Sequence, residues 1–150
     1  MYGFNNGYID RNAFRGCENL VQVNITGEVE EIGNWAFASC TSLREITLPD
    51  SVAVIGEYAF WRCKSLTNIT LPKSGTTKIG NTAFLRCDGL ADQNGLIIVQ
   101  NILYDCVSFT REVTIPSTVI KINTCAFETC KFLCLHVAIL TNLENSCKMG

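Results

Sequence analysis

The chain has 150 residues, 47% of them hydrophobic and 17% charged, with a formal net charge of −2. This length folds as one domain or one short array. The composition excludes disorder and collagen, and the weak negative charge gives no electrostatic footprint for nucleic acid or an anionic membrane surface.

Nine cysteines stand against a single histidine, His136. That scarcity of histidine leaves little material for acid–base catalysis or for zinc. No GxGxxG, phosphate loop, HExxH or GxSxG occurs, so neither an enzyme nor a cofactor is expected. No apolar run approaches the roughly 18 residues of a membrane-spanning helix, and none is expected to insert. The opening MYGFNNGYIDRNAF has no basic segment followed by an apolar one, so it does not read as a secretory signal.

One block then recurs along the chain. It starts near Ile9 (IDRNAFRGCENLVQVNI), Ile32 (IGNWAFASCTSLREITLP), Ile55 (IGEYAFWRCKSLTNITLP), Ile79 (IGNTAFLRCDGL) and Ile122 (INTCAFETCKFL). Four columns align across the copies: Ala13, Ala36, Ala59, Ala83 and Ala126; Phe14, Phe37, Phe60, Phe84 and Phe127; Cys17, Cys40, Cys63, Cys87 and Cys130; Leu20, Leu43, Leu66, Leu90 and Leu133. A period of about 23 residues with such columns specifies coils that stack, because no single coil can bury its apolar face alone.

Within a coil, LREITL and LTNITL alternate as a strand does. Ile46 and Leu48 point inward, Glu45 and Thr47 outward. Pro49, Pro72 and Pro116 follow the strands, where a missing N–H ends a ladder. The Ala-Phe half predicts a short helical or 3-10 turn on the opposite side, with Phe as the filler between coils. Gly33, Gly56 and Gly80 mark a sharp turn or close backbone approach.

Between Leu90 and the return of the pattern at REVTIPSTVIKI (111–122) lies an insertion of about 91–109. Its centre, around 95–106, predicts a β-hairpin with strands at 97–99 and 102–104 about a Gln100-Asn101 turn. The whole chain, 1–150, is therefore expected to be a single right-handed repeat solenoid. It should have one short parallel strand per coil, helical or 3-10 turns opposite, and a hairpin insertion. Neither end carries an obvious polar cap, which predicts a fragment of a longer array or self-association through the end coils.

The cysteine column reads as packing, since a buried thiol behaves as a small hydrophobe. Off the column stand Cys106, Cys125, Cys134 and Cys147. Cys125, Cys134 and His136 make the one ligand-like group, the basis of an alternative thiol or zinc protein. In an exported protein, Cys106–Cys125 or Cys134–Cys147 bridges are the other alternative, and the odd count leaves one thiol over. The N-I-T sequons at Asn24 and Asn68 read as ordinary strand lettering.

The outward strand positions are Gln22, Asn24, Glu45, Thr47, Asn68, Thr70, Glu112 and Thr114. Together they predict a polar, hydrogen-bonding face, the candidate protein-binding site of a solenoid. Trp35, Tyr58 and Trp61, beside the Ala-Phe turns, form an alternative aromatic patch of the residue types enriched in interface hot spots.

The pattern I-G-x-x-A-F-x-x-C-x-x-L-x-x-I-x-L-P resembles the BspA-type (Treponema pallidum-type) leucine-rich repeat family over residues 9–133. QNILYD resembles an insertion common there, usually reading NGVLYD. Asp10 and Asn123 depart from the family glycine. The resemblance implies a leucine-rich-repeat solenoid at the cell surface or secreted, without catalytic residues or cofactor. It implies adhesion or binding of a protein ligand, a host or cell-surface protein among the candidates. A structural spacer within a larger surface protein is the alternative.

Overall fold

A computed structural model describes residues 7–107, 113–128 and 137–139, the last by backbone alone. Each coil lays short strands beside those of the coil before it, as the repeat predicts. Two ladders result rather than one. The first contains β2 (Gln22–Asn24), β4 (Glu45–Thr47) and β6 (Asn68–Thr70), all parallel. The second contains β1 (Tyr8–Ile9), β3 (Glu31–Ile32), β5 (Val54–Ile55) and β7 (Lys78–Ile79), also parallel. It aligns the isoleucines that open each repeat. Strands of two residues carry too little alternation to be read from sequence.

The Ala-Phe side closes through i→i+3 bonds, such as Ala36 N–H to Gly33 O at 3.2 Å and Cys40 N–H to Phe37 O at 3.2 Å. The intervening N–H groups reach across to the next coil instead: Trp35 to Glu57 O, Phe37 to Ala59 O and Ser39 to Trp61 O. Trp35 and Ser39 have φ of 63° and 61°. A left-handed residue in each turn reverses the chain before a helix can propagate. The helical expectation thus becomes a run of single turns, and among the described residues the only helical element is the 3-10 turn at Asp88–Leu90.

Phe37, Phe60 and Phe84 are fully buried. With half-buried Phe14 they form a column of near-parallel rings at 5.1, 5.4 and 5.5 Å. Ala36, Ala59 and Ala83 leave room beside them and are fully buried too. Gly56 explains the glycine column: a Cβ there would lie 2.6 Å from the backbone N of Asn34. The coils approach too closely for any side chain.

The insertion forms the predicted hairpin, β8 (Leu96–Val99) antiparallel to β9 (Ile102–Cys106). Gln100 and Asn101 both have positive φ, 49° and 61°, the type I′ geometry that favours tight hairpins. The hairpin is not a mere excursion from the stack. β9 pairs in parallel with β11 (Lys121–Ile122), setting Leu103 beside Ile122. Asn123 N–H donates to Leu103 O at 2.9 Å, just as Gly33 N–H donates to Ile9 O at 2.8 Å. Leu103 therefore takes an isoleucine's place in the ladder, and β9 serves as a coil wall. Beyond it, β10 (Val113–Ile115) pairs in parallel with β12 (Val137–Ile139).

Candidate functional site

Six of the eight predicted face residues come together on one ladder. Gln22, Glu45 and Asn68 stand in register, and so do Asn24, Thr47 and Thr70. All six are exposed. Val23, Ile46 and Ile69 between them are buried or half-buried against the core, so the alternation read from the sequence holds. Thr114 is exposed but sits on β10, which pairs with β12 and not with β6. The expected eight-residue face is thus interrupted where the hairpin enters. Glu112 lies outside the described residues.

The cysteine column has a role beyond filling space. The thiols of Cys40, Cys63 and Cys87 donate to the carbonyls of Phe14, Phe37 and Phe60 at 3.1, 3.1 and 2.9 Å. Each carbonyl belongs to the coil before. A small side chain with a weak donor fits this place. Burial pushes the Cys40 thiol up to about 11 and the Cys63 thiol up to about 12, and raises the fully buried Cys87 thiol as well. A thiol held protonated at neutral pH is a poor nucleophile and a poor metal ligand.

Cys17 departs from the expectation: it is exposed, because no coil among the described residues precedes it to supply a Phe carbonyl. Cys106 is buried and Cys125 half-buried, and no disulfide joins them, which corrects the Cys106–Cys125 bridge. Cys130, Cys134, His136 and Cys147 lie outside the described residues. Among the described residues no group of three or more His, Cys, Asp or Glu is placed to hold a metal ion.

A carboxylate that sequence reasoning missed secures the hairpin. Asp105 is fully buried on β9. Its Oδ2 accepts from Arg86 N–H at 2.7 Å and its Oδ1 from Cys106 N–H at 2.8 Å. In earlier coils the equivalent N–H groups, of Ser39 and Arg62, meet a backbone carbonyl of the next coil. Asp105 supplies that acceptor where the hairpin interrupts the turns.

The aromatic patch also assembles. Trp35 and Tyr58 stack at 4.2 Å with 13° between their planes, and Trp61 meets Trp35 edge-on at 5.7 Å. All three are half-buried. Two arginines that sequence reasoning passed over complete it. The Arg15 guanidinium lies 4.9 Å from the centre of Trp35 and that of Arg62 5.1 Å from Trp61. Their signal was available in the columns. Arg15 follows its Phe by one place, and Arg62 and Arg86 follow theirs by two.

Stacked parallel coils, an isoleucine ladder and a buried phenylalanine column define a leucine-rich-repeat solenoid. A family model described as the BspA type leucine rich repeat region matches in six copies, over residues 7–134 and 96–147. The chain belongs to that family. The T. pallidum leucine-rich repeat protein is similar at 32% identity and TM-score 0.54, over 80% of this chain and 46% of its own. A leucine-rich repeat protein from Bacteroides ovatus is similar at 34% identity and TM-score 0.51, over 77% of this chain and 24% of its own. The chain therefore spans less than half the length of either. None of the curated proteins compared with it matches.

Proposed function

We propose that the chain is a non-catalytic protein-binding module, acting in adhesion at the cell surface or outside the cell. The observation that carries this reading is the lattice of Gln22, Asn24, Glu45, Thr47, Asn68 and Thr70. These six exposed polar side chains stand in register at strand spacing, about 4.8 Å. None of them hydrogen-bonds to another described side chain. The fold thus holds a rigid grid of free donors and acceptors in front of solvent, which lowers the ordering cost of binding. The raised cysteine pKa values and the family membership both favour recognition over chemistry. No helix among the described residues is long and apolar enough to cross a membrane.

The test is binding of the fluorescently labelled chain to a panel of intact bacterial and animal cells, before and after trypsin treatment of the cells. Saturable binding that trypsin abolishes supports recognition of a surface protein. Absence of saturable binding across the panel favours a spacer, and binding that survives trypsin points away from a protein ligand.

A further inference from the structure

The turn side of the coils carries a second surface, independent of the strand lattice. Its rings are not demanded by the fold. In the first coil Asn12 occupies the place of Trp35 and Tyr58 and closes the same turn with φ of 60°. Asparagine adopts that conformation readily, whereas bulky residues rarely do. Trp35 and Tyr58 nonetheless take it, at 63° and 56°. What the rings add is a mounting for two guanidinium groups, Arg15 over Trp35 and Arg62 over Trp61. A guanidinium held over an indole can still offer N–H donors for bidentate contact with carboxylates.

Those donors meet no carboxylate of a described residue. Between described residues the only ion pair is Lys73 with Asp50, at 3.9 Å. Glu18 and Glu57, the nearest carboxylates in sequence to these turns, pair with neither arginine. Arg15 makes one long bond to Asn12 Oδ1, at 3.4 Å, and the buried Nε of Arg62 has no partner at all. Arg86 holds the column position of Arg62 one coil on and is likewise unpaired through its side chain. A chain with a net charge of −2 thus presents guanidiniums that make no ion pair with a described residue in coils one, three and four.

We infer that this side of coils one to four binds an acidic, extended polypeptide segment through Arg15 and Arg62, mounted on the Trp35–Tyr58–Trp61 platform, with Arg86 contributing from the next coil. A polypeptide is favoured over a sugar or a nucleobase because both of those need an open ring face. Here the faces are already engaged: Tyr58 stacks on Trp35, and the Arg15 and Arg62 guanidiniums lie over the rings of Trp35 and Trp61. The turns that carry Arg15 and Arg62, with Arg62 one place further along its turn, lie two coils apart, about 10 Å at strand spacing. That matches the rise of about 9 Å between acidic residues three apart in a polyproline II segment.

Trp35 and Trp61 are the chain's two tryptophans, so intrinsic fluorescence reads this surface directly. The full chain is titrated with poly-L-glutamate, with heparin and a single-stranded oligothymidylate run in parallel. The expected result is a saturable emission change with poly-L-glutamate that weakens as salt rises. Affinity should fall at least tenfold in Arg15→Gln/Arg62→Gln and stay unchanged in Glu45→Ala/Asn68→Ala. Thermal unfolding confirms that the variants fold. If Arg62→Gln does not, Arg15→Gln/Arg86→Gln, both at exposed positions, carries the same expectation. No saturable change with poly-L-glutamate, equal affinity in the arginine variants, or tighter binding of heparin or oligothymidylate overturns the inference. Each of those outcomes leaves the strand-lattice reading untouched.

Discussion

Removing one ring from the phenylalanine column probes the stacking of coils directly. Phe60 is fully buried and lies between Phe37 at 5.4 Å and Phe84 at 5.5 Å, within 5° of parallel to both. Phe60→Ala deletes the filler from the interfaces on both sides of its coil. Buried Phe→Ala changes cost about 3–5 kcal/mol. Two lost ring pairs, at about 0.5–1.5 kcal/mol each, place this one in the upper half of that range. Phe14 is half-buried and has one ring neighbour, Phe37 at 5.1 Å, so Phe14→Ala should cost about half as much. Stability of a domain this size is of order 5–15 kcal/mol, so Phe60→Ala should remove about a quarter or more of it. Because coils couple mainly to their neighbours, the variant should also broaden the transition or split it. Urea unfolding followed by far-UV circular dichroism measures both effects. A cost below about 1 kcal/mol for Phe60→Ala, or one no larger than for Phe14→Ala, would refute the central role of the ring column.

Three further outcomes follow from the same geometry. Gly56→Ala places a Cβ 2.6 Å from Asn34 N and 2.9 Å from Asn34 Cα. It should destabilise by at least 2 kcal/mol, against about 1 kcal/mol for Gly16→Ala, where space is open and only the φ of 74° is strained; paired thermal melts compare them. Asp105→Ala removes the acceptor of the Arg86 and Cys106 N–H groups and should cost about 1–3 kcal/mol, with hydrogen exchange at Arg86 accelerated more than at Ser39. The Cys40 and Cys63 thiols titrate near 11 and 12 in the folded chain against an ordinary 9.0. A raised folded pKa gives stability that is full below pH 9 and lost as pH climbs through 11. Urea midpoints should therefore fall between pH 9 and 11, and less steeply in Cys63→Ala; a midpoint slope unchanged by that substitution contradicts the thiol's burial as its cause.

The repeat was legible because its columns are stacking contacts. A phenylalanine ring that meets its own equivalent one coil away must recur at the coil's period, as must the alanine that makes room for it. The inward–outward alternation of Glu45, Ile46, Thr47 and Leu48 was legible for the same reason. The second ladder was not, since Glu31–Ile32 and Lys78–Ile79 are too short to show a period. Nor could local sequence show that Leu103 stands in for an isoleucine or that Asp105 replaces a backbone carbonyl. Both depend on where the hairpin docks, which is a tertiary fact. The aromatic patch was found by residue type, but Arg15 and Arg62 escaped because their column positions differ by one. Only the geometry shows that each lies on an indole.

Recognition through the strand lattice is tested most directly by one ratio. It is the affinity of the native chain over that of a Glu45→Ala/Thr47→Ala/Asn68→Ala variant for the same trypsin-sensitive cell-surface ligand, measured at matched thermal stability. These residues are exposed and bonded to no other side chain, so the variant should fold as the native chain does and bind at least tenfold more weakly. Equal affinity in a fully folded variant would contradict the assignment of that face as the binding site.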